Sequence, residues 1–204
     1  MRYEFDRDGH LSRIAGREGA PCSADCAKTY ANSFAYDSSG ALERLRLGNG
    51  KWETVSYNDR GQITQIGLGN GSSDASLWKV DYDYGTWENG SLDRLKNNGN
   101  MALQKISIPG LSDQLVQKYE YDALNRIQTA TETSNNTMTW RQAFQYDRYG
   151  NRRIEAQNTT TLSQSNNVTN PVIDPATNRF AANQGYLYDK TGNLTREAEG
   201  KQFF

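Results

Sequence analysis

At 204 residues and 35% hydrophobic content, the chain is long enough for one domain or a solenoid-like sheet, but poor in the apolar residues of a large single core. Its 23 basic and 24 acidic side chains are interspersed to a net charge of −1, so no field gathers nucleic acid or an anionic membrane. No run approaches the ~20 apolar residues of a membrane span, and Met1-Arg2-Tyr3-Glu4 leads into no signal-peptide core.

The predicted elements follow one phrase, aromatic-Asp-x-x-Gly-x-Leu/Ile, copied along the chain. It first stands at Phe5-Asp6-Arg7-Asp8-Gly9-His10-Leu11, and Gly16 to Ser33 follows as an insertion holding Pro21-Cys22-Ser23-Ala24-Asp25-Cys26. It returns at Tyr36-Asp37-Ser38-Ser39-Gly40-Ala41-Leu42. Tyr57-Asn58-Asp59-Arg60-Gly61-Gln62-Ile63 comes 21 residues on, the shortest spacing and so the size of two strands with their connections. The fourth copy is irregular. Tyr82-Asp83-Tyr84-Gly85 opens it, Thr86 to Asn97 reads as an expanded hairpin tip, and Asn98-Gly99-Asn100-Met101 resumes it. Tyr121-Asp122-Ala123-Leu124-Asn125-Arg126-Ile127 and Tyr146-Asp147-Arg148-Tyr149-Gly150-Asn151-Arg152 come next, with Asn135 to Met138 read as surplus loop between them. Asn158 to Gln184, rich in Thr, Asn and Ser and holding Pro171 and Pro175, reads as a mobile loop before Tyr188-Asp189-Lys190-Thr191-Gly192-Asn193-Leu194.

Each copy encodes a β-hairpin turn. Asp or Asn opens a type I turn because its side-chain oxygen accepts a bond from an N–H two residues on. Gly three residues later supplies φ > 0, which gives the three-residue hairpin loop with a bulge. The structural turn pairs are Asp6/Gly9, Asp37/Gly40, Asn58/Gly61, Asp122/Asn125, Asp147/Gly150 and Asp189/Gly192, with Gly99 in the irregular copy. Asn125 fits the Gly position because Asn tolerates the left-handed region best after Gly. The aromatic before the turn and the Leu or Ile after it then meet as a cross-strand pair. Tyr119 and Tyr121 share one face by period two, and no stretch of ten residues keeps an apolar 3.6 period, so helix is minor.

Chemistry is weighed against this plain reading. Catalytic carboxylate pairs need different environments that push their pKa values apart. The repeated Asp residues stand at equivalent, exposed turn positions, which favours turn capping. The single histidine, His10, sits in a turn, and no nucleophile elbow or phosphate loop appears. The expectation is no enzymatic activity, no metal and no cofactor. Cys22 and Cys26 are candidates for a local disulfide or two free thiols; zinc lacks a second Cys pair. Trp52, Trp78, Trp87 and Trp140 suit core or cross-strand packing, or a glycan-stacking platform. Trp87, in the expanded tip, is the candidate exposed, ligand-facing aromatic.

With these copies laid out, the chain resembles the YD-repeat, or RHS-repeat, polypeptides of bacterial RHS toxins, Tc toxin cocoon components and teneurins. The resemblance covers nearly the whole chain. It implies an all-β fold, a curved antiparallel sheet of successive hairpins that in larger members spirals into a shell around a toxic C-terminal domain, and it implies export to the medium or cell surface. With about seven copies, the sheet is expected to be open rather than closed. It is read as a single domain, 1–204, with loop insertions near 16–33, 86–97 and 158–184. The family's Asp-Pro-x-Gly self-cleavage motif is missing, since Asp174-Pro175 precedes Ala176 and Thr177. Gly200-Lys201-Gln202-Phe203-Phe204 looks like the first strand of a further copy, so the chain reads as a fragment or short member. The function expected is a non-catalytic shell segment enclosing a toxin or other polypeptide cargo. The alternative is an extracellular module that joins neighbouring segments or identical chains through open edge strands, or binds glycans.

Overall fold

The computed structural model describes residues 1–16, 28–111, 114–161 and 170–203. The chain is all-β. In order it forms β1 (Arg2–Phe5), β2 (Leu11–Gly16), β3 (Lys28–Tyr36), β4 (Leu42–Leu47), β5 (Trp52–Tyr57), β6 (Ile63–Gly69), β7 (Trp78–Tyr84), β8 (Thr86–Glu88) and β9 (Ser91–Asp93). After the 3-10 turn Arg94–Lys96 come β10 (Met101–Ser107), β11 (Leu115–Tyr121), β12 (Ile127–Ser134), β13 (Thr137–Tyr146) and β14 (Arg152–Ile154). A second 3-10 turn, Ala156–Asn158, precedes β15 (Ile173–Asp174), β16 (Arg179–Phe180), β17 (Leu187–Tyr188) and β18 (Leu194–Arg196).

Twelve strands form one antiparallel sheet in the order β1-β2-β3-β4-β5-β6-β7-β10-β11-β12-β13-β14. It ends on β1 and β14 and is not closed into a barrel. β8–β9, β15–β16 and β17–β18 are separate two-stranded sheets. The aromatic and aliphatic ends of the phrase face each other across the hairpins, as Phe5↔Leu11, Tyr36↔Leu42, Tyr57↔Ile63 and Tyr188↔Leu194. A register shift sits beside each of these pairs, the local signature of a bulge.

The insertions are narrower than the sequence suggests. β3 begins at Lys28, because Thr29 and Ala31 continue the ladder opposite Ala15 and Ile14. Asn135 and Asn136 are not surplus: at φ 47 and 61 they are a two-residue turn joining β12 to β13. Residues 86–97 hold the β8–β9 hairpin, closed by Asn89-Gly90 at φ 48 and 80, and a 3-10 turn whose N–H at Leu95 is capped by Asp93. Within 158–184 the short β15–β16 hairpin is ordered by its own turn.

Contacts divide the chain into two compact units, Met1–Gln117 and Lys118–Phe204. In the N-terminal unit an apolar row crosses four strands through Val55↔Ile66, Ile66↔Val80 and Val80↔Ile106. Among the described residues the buried apolar ones are nevertheless mostly small, Ala15, Ala31, Ala102, Ala130 and Ala143 with Val80 and Phe144. No large side chain among the described residues falls below 2% exposure. Residues 70–77 fold back on β6 so closely that a Cβ at Gly69 would stand 2.1 Å from the Asp74 carbonyl oxygen.

Candidate functional site

The repeated positions build one turn six times. At Asp37 the backbone N–H bonds to the Ala41 carbonyl at 2.9 Å, Gly40 N–H returns to the Asp37 carbonyl at 3.0 Å, and Oδ1 accepts from the Ser39 and Ala41 N–H groups. Asp6, Asn58, Asp122, Asp147 and Asp189 repeat all four bonds. The fourth residue is left-handed each time, from φ 61 at Asn125 to φ 96 at Gly192. Gly99, at φ 99, donates its N–H to Asn97 Oδ1.

A second device, invisible in single copies, joins successive hairpins. The phrase tyrosine donates its hydroxyl to the carbonyl of the Leu or Ile that closed the preceding turn. Tyr36 reaches Leu11 at 2.8 Å, Tyr57 reaches Leu42 at 2.9 Å, Tyr84 reaches Ile63 at 2.9 Å and Tyr146 reaches Ile127 at 2.8 Å. In the fourth copy the rung belongs to Tyr84, not to Tyr82 where the phrase matches; Asp83 instead takes a bidentate bond from Arg94 at 2.8 Å. The residue before the closing Leu or Ile adds a ring contact. His10 stacks on Tyr36 at 4.6 Å, and the Arg126 guanidinium lies 4.4 Å from the Tyr146 ring while it pairs with Asp122.

The electrostatics of the turns follow from these donors. The Ser39 hydroxyl, then the Ala41 N–H, holds the Asp37 carboxyl below its usual range. Arg126 does the same for Asp122, Asn151 for Asp147, and Asn193 with Thr191 for Asp189. In each of these turns the donors favour the ionised carboxylate.

Trp87 is half-buried, not exposed: its indole N–H donates to the Ala102 carbonyl at 3.2 Å, so the β8–β9 hairpin folds its ring inward. Trp52, Trp78 and Trp140 are also half-buried. Cys22 and Cys26 lie outside the described residues. Among the described residues no three His, Cys, Asp or Glu side chains converge as a metal site, and no helix is long and apolar enough to cross a membrane. A cavity of about 360 Å³ beside Ala75, Lys79, Ile108 and Pro109 lies in the N-terminal unit. Another of about 290 Å³ beside Tyr146, Arg152, Pro171 and Val172 lies in the C-terminal unit.

Neither a protein-family model nor a curated relative matches the chain. Among solved structures, it is similar to a chain of the Photorhabdus luminescens Tc holotoxin pore, with 18% identity and a TM-score of 0.58 over 95% of this chain and 11% of that one. A crystal structure of TcdB2-TccC3 without its hypervariable C-terminal region matches with 14% identity and a TM-score of 0.46, again over 95% and 11% of the two chains. The likeness to the holotoxin pore is one of fold, and the chain spans about a tenth of that partner's length.

Proposed function

We propose that the chain is a non-catalytic wall segment of an RHS-type shell that encloses a toxin or other polypeptide cargo, in a protein exported from its cell. The observation that carries this reading is the welded hairpin series, in which repeated turns and tyrosine rungs extend one sheet strand by strand. The fold likeness to the Tc holotoxin pore supports it. Limited proteolysis of the natural polypeptide tests it. A segment outside residues 1–204 should resist protease for as long as the sheet does, and equally fast digestion of both would overturn the reading. A panel of hydrolase substrates should give no turnover that a single Asp or Ser substitution abolishes.

An edge-pairing module is the second reading. It draws on β1, whose Tyr3 and Phe5 are 53% and 62% exposed. Strand pairing with neighbouring segments is the contact such an edge supports. A glycan platform is less favoured, because the Trp87 indole N–H is spent on Ala102.

A further inference from the structure

The far edge of the sheet differs from β1. β13 spans Thr137–Tyr146, yet β14 pairs only with Phe144, Gln145 and Tyr146. Beyond that point threonine hydroxyls share the rungs with backbone groups. Ala143 receives the Glu155 N–H at its carbonyl and gives its own N–H to the Thr159 hydroxyl. Arg141 receives the Thr160 N–H and gives its N–H to the Thr160 hydroxyl.

The same substitution closes the outer side of β14. Glu155 bonds inward to Ala143, so in an alternating strand Arg153 also faces β13, while Arg152 and Ile154 direct their backbone groups outward. The Asn170 carboxamide holds both outward groups of Ile154: Oδ1 accepts its N–H and Nδ2 donates to its carbonyl, each at 2.9 Å. Pro171 follows and has no N–H to extend a ladder. Val172 is clamped the same way by Gln184, at 2.7 Å for each bond, and Gln184 is only 8% exposed. A carboxamide offers one donor and one acceptor side by side, as a strand does at each rung.

We propose that residues 170–184 are a terminator built into the chain, in which the Asn170 carboxamide stands in for a further strand at Ile154, Gln184 fixes the segment behind it at Val172, and β14 is thereby stopped from pairing with a strand of another chain. Only Arg152 then keeps outward backbone groups on β14, too little for a ladder. The inference stands apart from the shell reading, because it concerns where strand addition stops and not what the sheet encloses.

The test is self-association of the 204-residue chain, read by light scattering after size exclusion over a concentration series, with hydrogen exchange at the Ile154 amide. In the wild type that amide should be protected although it lies on the outer side of an end strand; free exchange overturns the proposal. Wild-type association that Ile154→Pro abolishes overturns it too. Asn170→Ala should speed Ile154 exchange about tenfold and raise the mass with concentration. Asn170→Ala/Ile154→Pro, which has no outward N–H there, should return to the wild-type mass. Asn170→Ala that exchanges faster yet keeps the wild-type mass, or association that persists in the double variant, overturns the proposal. If Asn170→Ala loses its far-UV spectrum, Asn170→Leu removes both the donor and the acceptor at nearly constant size and must show the same rise in mass; a constant mass overturns the proposal.

Discussion

Asn58 replaces the aspartate of the repeat phrase and makes the same turn, its Oδ1 accepting from the Arg60 and Gln62 N–H groups at 3.0 Å each. The position therefore needs a short side-chain acceptor more than it needs charge. Asn58→Asp should fold normally, while Asn58→Ala should cost about 1 kcal/mol in urea unfolding, because two N–H groups lose their partner. Charge matters through pH. The folded pKa values of Asp37, Asp122, Asp147 and Asp189 lie below their unfolded values near 3.9. Between the folded and unfolded values the unfolded chain binds more protons, so this stability is fully present at neutral pH and is lost as pH falls toward the folded values. Acid unfolding curves should show this limb, and Asp37→Asn should flatten it. At the left-handed position, Asn125 sits at φ 61. Asn125→Gly should be close to neutral, and Asn125→Val should cost about 1–2 kcal/mol. This scale was legible in the sequence because every bond of the turn closes within five residues.

The hairpins are joined by bonds whose partners lie far apart in sequence. Tyr57→Phe keeps the ring opposite Ile63 but leaves the Leu42 carbonyl without its donor, for a cost of about 0.5–1.5 kcal/mol by chemical denaturation. Such rungs could not be read from one copy. The phrase pointed to Tyr82, yet Tyr84 makes the bond, because the hairpin it closes runs on to Met101 across a 16-residue insertion. Two further turns share the backbone pattern without an opening Asp or Asn: Leu47 to Lys51 around Gly50, and Glu197 to Lys201 around Gly200. Both glycines are left-handed, at φ 83 and 94. The backbone bonds close these loops by themselves, so the carboxylate reinforces the turn without being its cause. Trp87 lies further inward than its place in the sequence suggests, for a related reason. A tip insertion reads as exposed, but its strands bring the indole to the Ala102 carbonyl. The carboxamide clamps at Ile154 and Val172 left no sequence signal, since any Asn or Gln in a polar stretch would look the same.

Across the whole chain, order should follow the number of neighbours each strand has. The β15–β16 and β17–β18 pairs have strands of two or three residues and stand outside the twelve-stranded sheet. Isolated two-stranded pieces are marginal in water. Hydrogen exchange should release them first and the β5–β6–β7–β10 strands last, where the row from Val55 to Ile106 is shared. The all-β class and the open sheet were legible from the repeat and its count. The buried apolar set among the described residues, five alanines, one valine and one phenylalanine, has a thermal consequence. Little apolar surface is re-wetted when such a sheet comes apart, so calorimetry should give a heat-capacity change per residue below the usual range of about 12–15 cal/mol/K. A small heat-capacity change flattens the stability curve. The sheet should then hold nearly the same free energy in cold and in warm surroundings, failing by the loss of its hydrogen-bonded ladders and not by the fading of a hydrophobic interior.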